Sequence, residues 1–504
     1  MNGNLYLDGN PTPRAEFEIR SKKLANLLQA QGIEPNDTIA ILMRNDTKYL
    51  EVIQACRYLG CYFVPLNWHS VTTEIEHIIQ DSRAKVLVAH KDLIKQLEQP
   101  KLSEVLLAFF PTPEEVIDNY PIDLQQPSCT ADLALDIELS LQTTLPIDST
   151  PKPFRGMFAY TSGSTGRPKG IKRKADDEDT DKYAVYQGLA KSLMQLTCND
   201  KFLVAAPLYH SAPNTLSICT LAASDVTLFI ATKFDPQAFL STIDKSKITH
   251  IYIVPTMMIR LLKLPQHIRD QYDLSSLKFA ISTGSACPSE IKLAMINWFG
   301  PIFYESYGAS EIGFMTLISS AEAINKPGSV GKIVPGGDIK ILDESKQQLG
   351  QLQAGLIYVH LPMFGEFEYT NYDGESSAYK YENYVSVGDI GYLDSENYLF
   401  INDRQKDMII SGGANIFPLE IESVLIHMDE IVDCAIFGAP DPEYGEKVVA
   451  AVQCHPQKTI TLSQMYDFLE GKLARFKYPK KLELHEKLPR EDSGKIFKQK
   501  LRAS

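Results

Sequence analysis

Apolar residues recur at helical spacing through EFEIRSKKLANLLQAQG (16–32), and the pattern stops at Gly32. DTIAILM (37–43) is a short apolar run and predicts a strand. KYLEVIQACRYLGCYFVPLN (48–67) predicts a helix, a glycine stop and a β-rich run, and AKVLVAH (84–90) predicts another strand. KFLVAAPL, DVTLFIA, HIYIVP, LKFAIST and PIFYESYG extend the rhythm from 201 to 308. Helix and strand in alternation predict a layered α/β architecture with a largely parallel sheet. The rhythm then changes. GGDIKILD, GLIYVHLP and DIGYLDSENYLFIN are short strands punctuated by Gly, Asp and Asn, which predicts a small antiparallel β region.

The expected organisation is a large multi-layer domain over 1–402, with mostly parallel sheets and a small β subdomain. A small α+β domain over 403–504 follows it. A chain of 504 residues, 44% hydrophobic and 22% charged, has ample material for such cores. The net charge of −13 disfavours a nucleic-acid binder, whose footprint is normally basic. The balance is uneven, however: Lys472 to Arg502 holds eleven Lys or Arg against four Asp or Glu. That segment is either a solvated face or a mobile basic element that meets phosphates. The mixed-charge block KRKADDEDTDKY (172–183) reads as a solvated loop or helix start. Eight cysteines form no C-x-x-C pair, so no disulfide framework or zinc site is expected, and free thiols suit the cytoplasm. MNGNLYLDGN has no charged n-region or apolar h-region, so no signal peptide is expected, and no apolar run is long enough to span a membrane.

The candidate chemistry centres on YTSGSTGRPKG (160–170), a Gly- and hydroxyl-rich turn leaving the strand-like GMFAY. Glycine lets backbone N–H groups approach an anion, while hydroxyls and Lys add donors. A linker has similar composition. It is not a Walker A loop, because the sixth residue counted from Gly163 is Pro168.

Four further stretches decide between these readings: YESYGASEIG (304–313), SVGDIGYLD (386–394), DRQKDMIISGGANIFPLEIE (403–422) and LPREDSGKI (488–496). Together, in this order, the five resemble the adenylate-forming superfamily of acyl- and aryl-CoA synthetases, adenylation domains and luciferase, closest to fatty-acyl-CoA ligases. The resemblance covers nearly the whole chain. It implies an acid–thiol ligase that uses ATP, Mg²⁺ and coenzyme A. A carboxylic acid becomes an acyl-adenylate with release of pyrophosphate, and the thiol then displaces AMP.

The resemblance also implies roles. Thr161, Ser162, Gly163, Ser164, Thr165, Gly166 and Lys169 would wrap the β- and γ-phosphates. Glu311 would offer a hard oxygen to Mg²⁺, with Thr165 as a second metal contact. Tyr307 would stack on adenine, and Ser310 stands where the family usually has Thr. STGSACPSE (282–290) resembles the loop lining the adenine and acyl pocket through Gly284, Ser285 and Ala286. Asp389 would accept from both ribose hydroxyls, and Arg404 would approach the ribose and phosphate. Lys495 would swing in to touch the α-phosphate and the carboxylate. Lys406 falls at the family's inter-domain hinge, placed near 403–406, about which the C-terminal domain would turn.

PLYHSAPNTL (207–216) resembles the entry to the acyl-pocket helix, with His210 as the gate or wall residue. It contains no Asp or Glu, so an amino-acid substrate, whose ammonium needs a buried partner, is not expected. Ala212, Pro213, Leu216 and Ala309 suit an apolar chain or ring. Coenzyme A is the expected acceptor. The alternatives are a stand-alone enzyme loading the phosphopantetheine thiol of a carrier protein and a non-catalytic nucleotide-binding relative.

Overall fold

The computed structural model describes residues 3–502 except 95–96, 98–101, 103, 123–133, 162–167, 175–181, 224, 286, 371–378, 412–413 and 491–495. Its contacts divide the chain into two compact units. Unit 1 comprises Met1–Gly284, Ile291–Phe314 and Leu361–Ser376, and unit 2 comprises Ser285–Glu290, Met315–His360 and Ser377–Ser504. Unit 2 therefore takes in more than the segment 403–504, because the antiparallel strands before it belong to the same unit.

Unit 1 holds the parallel strands that the apolar runs predict. In one sheet the order is Leu135–Asp136, Leu106–Phe110, Ala84–His90, Thr38–Leu42, Tyr62–Pro65 and Gly156–Met157, every pair parallel. Buried aliphatic runs such as Val86–Ala89 fit strands covered on both faces. The helix Thr47–Leu59 feeds this sheet. Asp46 caps it by accepting from Lys48 N at 3.1 Å, and Gly60 ends it in the left-handed conformation at φ 68°.

A second run in unit 1 goes Asn10–Pro13, Asn4–Leu7, Thr227–Ile230, Lys201–Val204, His250–Tyr252, Phe279–Ser282 and Phe303–Glu305, parallel after the first hairpin. Asn45 staples the two sheets. Its Nδ2 donates to Ala206 O (3.0 Å) and Ala231 O (2.9 Å), and its Oδ1 accepts from Leu208 N at 2.8 Å. One buried amide thus fixes the segment that leads into His210, at no cost in unsatisfied polar groups.

A third sheet of unit 1 is small and antiparallel: Phe367–Tyr369, Lys169–Arg173 and Ala159–Thr161, with Lys169–Arg173 in the middle. Gly170 is needed there. A Cβ at this position would come within 2.5 Å of Thr370 Oγ1, 2.7 Å of the Phe158 ring and 2.8 Å of the Tyr160 ring.

Unit 2 contains the antiparallel strands expected from the Gly- and Asn-punctuated runs. Asp338–Leu342 pairs Gly355–His360, which pairs Asp389–Leu393, which pairs Leu399–Arg404. The C-terminal part has a core of its own around Ile409, Ile421, Leu425, Ile436, Val448 and Met465. Ile431–Asp441 and Gly445–Cys454 form its long hairpin, and Lys481–Leu484 adds a parallel strand.

Candidate nucleotide and acyl site

In unit 1 the candidate residues gather past the carboxyl ends of parallel strands, where α/β sheets bind ligands. His210 follows Lys201–Val204, Gly284 follows Phe279–Ser282, and Tyr307 follows Phe303–Glu305. These three strands are linked in one run through His250–Tyr252. His210 is the N-cap residue of the helix Ser211–Ala222, whose Pro213 and Leu216 are buried and whose Ala212 is half-buried. Gly284 holds φ at +97°, a conformation that side chains rarely adopt. Ser285 falls in unit 2, and Tyr307 is half-buried.

Glu311 sits in the turn of a tight hairpin. Gly308 pairs with Phe314, Ala309 with Gly313, and Ile312 N donates to Ala309 O at 3.1 Å. A Cβ on Gly308 would collide with Gly313 O, so the tyrosine–glycine step of the motif has a steric reason. Side-chain bonds hold this turn. Arg173 Nη2 donates to Ser310 O at 3.0 Å. Ser310 Oγ bonds Ser211 Oγ at 3.2 Å, next to His210. Tyr369 Oη donates to Glu311 Oε1 at 3.2 Å. Burial pulls the Arg173 pKa down to about 10, against support from Tyr186 and Glu311, so the guanidinium stays charged at neutral pH.

Thr161 and Lys169 are register partners at the base of the YTSGSTGRPKG loop. The strand ends are anchored further. Tyr160 Oη donates to Asp81 Oδ2 at 2.6 Å, and Thr370 Oγ1 bonds the same oxygen. Ser162, Gly163, Ser164, Thr165 and Gly166 lie outside the described residues, as do Ala286, Gly412, Gly413 and Lys495.

In unit 2 the structure makes neighbours of two residues predicted from separate motifs. Asp389 and Arg404 are register partners on adjacent strands, and Arg404 Nε lies 3.4 Å from Asp389 Oδ1. Asp389 is buried and Arg404 is half-exposed. Lys406 is exposed in the turn that follows. Before it, Asp403 Oδ1 accepts from Arg404 N (2.7 Å) and Oδ2 from Leu419 N (2.9 Å). Lys498 pairs with Glu422 at 2.8 Å. Burial opposes the Lys498 charge, but Glu422 and Asp403 outweigh it and raise its pKa.

At the end of the block 172–183 a helix starts, one of its two expected readings: Lys182 is the N-cap of Tyr183–Ser192, and Lys182 and Tyr183 are buried. Lys172 and half-buried Arg173 close a strand instead of a solvated loop, and 175–181 lie outside the described residues. Arg173, Tyr369 and Asp81 are the contacts that sequence reasoning missed. No local pattern marks them, because each acts across strands far apart in the chain.

Among the described residues no group of three His, Cys, Asp or Glu could hold a metal. An ion bound together with nucleotide phosphates needs only one or two protein carboxylates. Glu311, oriented by Tyr369, supplies one hard oxygen ligand with a fixed outer partner, and so fits. Among the described residues no helix is long and apolar enough to cross a membrane.

Residues 13–365 match the family described as AMP-binding enzyme, and residues 420–495 match its C-terminal domain. The chain belongs to this family, within the adenylate-forming superfamily. A feruloyl-CoA synthase of Amycolatopsis sp is 30% identical over 501 residues, covering 98% of this chain and 94% of its own. An indoleacetate–CoA ligase of Aromatoleum aromaticum is 28% identical over 486 residues, covering 95% and 91%. The o-succinylbenzoate CoA synthetase of Bacillus subtilis, solved with its acyl-adenylate intermediate, superposes with a TM-score of 0.83. It is 25% identical and covers 100% of this chain and 96% of its own. The same enzyme solved with ATP and magnesium gives 0.82 at 25% identity, covering 99% and 96%.

Proposed function

We propose that the protein is an AMP-forming acid–thiol ligase that uses ATP, Mg²⁺ and coenzyme A. The observation that carries this reading is the small antiparallel sheet of unit 1. It bears both ends of the phosphate loop and, through Arg173 and Tyr369, the turn that presents Glu311. In the first half-reaction a carboxylate oxygen of the acid bonds to the α-phosphorus, and the bond to pyrophosphate breaks. In the second, the CoA thiolate bonds to the acyl carbon, AMP leaves, and the thiol proton goes to water.

Charge on the crowded polyphosphate has to be neutralised for the first step to proceed. Lys169, Thr161 and the loop between them serve the β- and γ-phosphates. Bound at Glu311, Mg²⁺ would supply Lewis-acid stabilisation of phosphate charge. Tyr307 and Gly284 line the adenine side, and Asp389 accepts from the ribose hydroxyls with Arg404 beside it. Lys495 meets the α-phosphate and the carboxylate. Segment 403–504 turns about 403–406 between the half-reactions, bringing the SGGANI stretch into service for the thiol.

The acid has an apolar body, aromatic or aliphatic. His210 forms the wall at the helix entry, with Ala212, Pro213, Leu216 and Ala309 beyond it. The feruloyl- and indoleacetate-activating relatives support an aryl acid; the acid-free stretch 207–216 supports any uncharged tail. A panel of aryl acids and of short, medium and long fatty acids, assayed for pyrophosphate with and without CoA, tests this. Acyl-CoA formation from at least one member is expected, and rejection of the whole panel in favour of amino acids would contradict it.

A further inference from the structure

Arg173 is an expensive residue for its place. Its guanidinium is half-buried and loses part of its hydration, and an aliphatic side chain would fill the same space without that cost. Its Nη2 is spent on a main-chain oxygen, Ser310 O, one residue before Glu311. On the neighbouring strand Tyr369 spends its hydroxyl on Glu311 itself. The two strands are in register, Ile171 opposite Tyr369 and Arg173 opposite Phe367. The same central strand begins at Lys169, paired with Thr161 across the base of the phosphate loop. Gly170 lets the strands come this close. One rigid three-stranded element therefore holds the phosphate loop by its ends and the Glu311 turn by two side chains.

We propose that Arg173 and Tyr369 are positioning residues that hold Glu311 in place, so that its carboxylate is already ordered when magnesium arrives with ATP. The inference rests on the reading of Glu311 as the magnesium ligand. Arg173 acts through the backbone of Ser310, and Tyr369 fixes the rotamer of the carboxylate. Neither touches substrate. Such outer contacts matter because a ligand held loosely must be ordered at the moment of binding.

The test is calorimetric and needs no turnover. ATP is titrated into the full-length protein with excess Mg²⁺ and again with EDTA, and the ratio of the two dissociation constants is the magnesium effect. Tyr369→Phe and Arg173→Leu should each shrink that ratio roughly tenfold, the loss expected for one charge-assisted hydrogen bond, and leave EDTA binding unchanged. Arg173→Gln keeps a donor for Ser310 O without the charge and should recover most of the ratio. Glu311→Gln should erase it. If Glu311→Gln keeps the full ratio, the metal assignment itself fails. If Glu311→Gln erases it while Tyr369→Phe and Arg173→Leu keep it, the positioning proposal alone is overturned. Equal weakening with and without magnesium would overturn it too, by showing general loosening. Arg173→Gln as impaired as Arg173→Leu would overturn the hydrogen-bond role of Arg173. Thermal midpoints check folding, and Tyr369→Phe, which deletes one hydroxyl, stands alone if Arg173→Leu does not fold.

Discussion

Glu311 and Lys406 both sit in tight turns between strands, and they are held in opposite ways. The Glu311 turn is gripped by the side chains of Arg173, Ser211 and Tyr369, all within unit 1. Around Lys406 the side chains of Gln405 and Lys406 are exposed and the turn is closed by main-chain bonds, Gln405 N to Gly388 O and Asp407 N and Met408 N to Arg404 O, while side-chain contacts sit at its two flanks, Arg404 on Asp389 and Arg502 on Asp407. The turn bearing the carboxylate proposed to meet metal and phosphate at one fixed point is held by several side chains. In the segment proposed to absorb a backbone rotation the side-chain contacts lie on the flanking residues 404 and 407, and the exposed Gln405 and Lys406 between them are held by the main chain alone. The difference teaches that rigidity is distributed by task.

The largest expected effect comes from freezing the loose region. Proline at 406 fixes φ near −65° and removes an N–H. Lys406→Pro should keep pyrophosphate release in the first half-reaction and slow transfer to CoA about 10²-fold, as misplacement of a reacting group does. Single-turnover measurement of each half-reaction checks this, and unchanged transfer would place the hinge elsewhere. Next comes Asp389→Ala, beside that hinge but buried. Loss of a carboxylate that accepts from both ribose hydroxyls should raise KM for ATP about tenfold or more, and KM for the acid far less. An unchanged KM for ATP would remove the ribose assignment.

The rigid region breaks differently. Gly170→Ala forces a methyl into Thr370, Phe158 and Tyr160, and should cost about 1–3 kcal/mol of stability, read as a lower denaturation midpoint. The smallest effect concerns pH, at the start of the strand His250–Tyr252. Burial pulls the His250 pKa down to about 4 from 6.5. The folded state then binds fewer protons than the unfolded one between these values, so this stability is complete above pH 6.5 and is lost as pH falls toward 4. From pH 7.5 to 5.5 the loss should be about 1 kcal/mol. His250→Gln should flatten that slope in urea titrations, and an unaltered slope would contradict it.

The apolar runs revealed many strands of both units, because buried parallel strands and short antiparallel ones differ in length and punctuation, but Leu106–Phe110 and the long hairpin Ile431–Asp441 and Gly445–Cys454 were not read. The motifs that hold the candidates Asp389, Arg404 and Glu311 were legible because each is contiguous in the chain. Arg173 was not. It lies among charges that read as solvated, and its partner Ser310 is 137 positions away. Tyr369 bonds Glu311 by a side-chain contact across 58 positions, which local pattern does not encode. Asn45 likewise joins two sheets through main-chain oxygens that leave no mark in composition.

The central claim is that ATP is split between its α- and β-phosphates to activate an acid for a thiol. Chromatography of the nucleotides after incubation with ATP, Mg²⁺, CoA and an accepted acid tests it most directly. AMP and pyrophosphate equal to the acyl-CoA formed is the predicted result; ADP and phosphate in their place would contradict it.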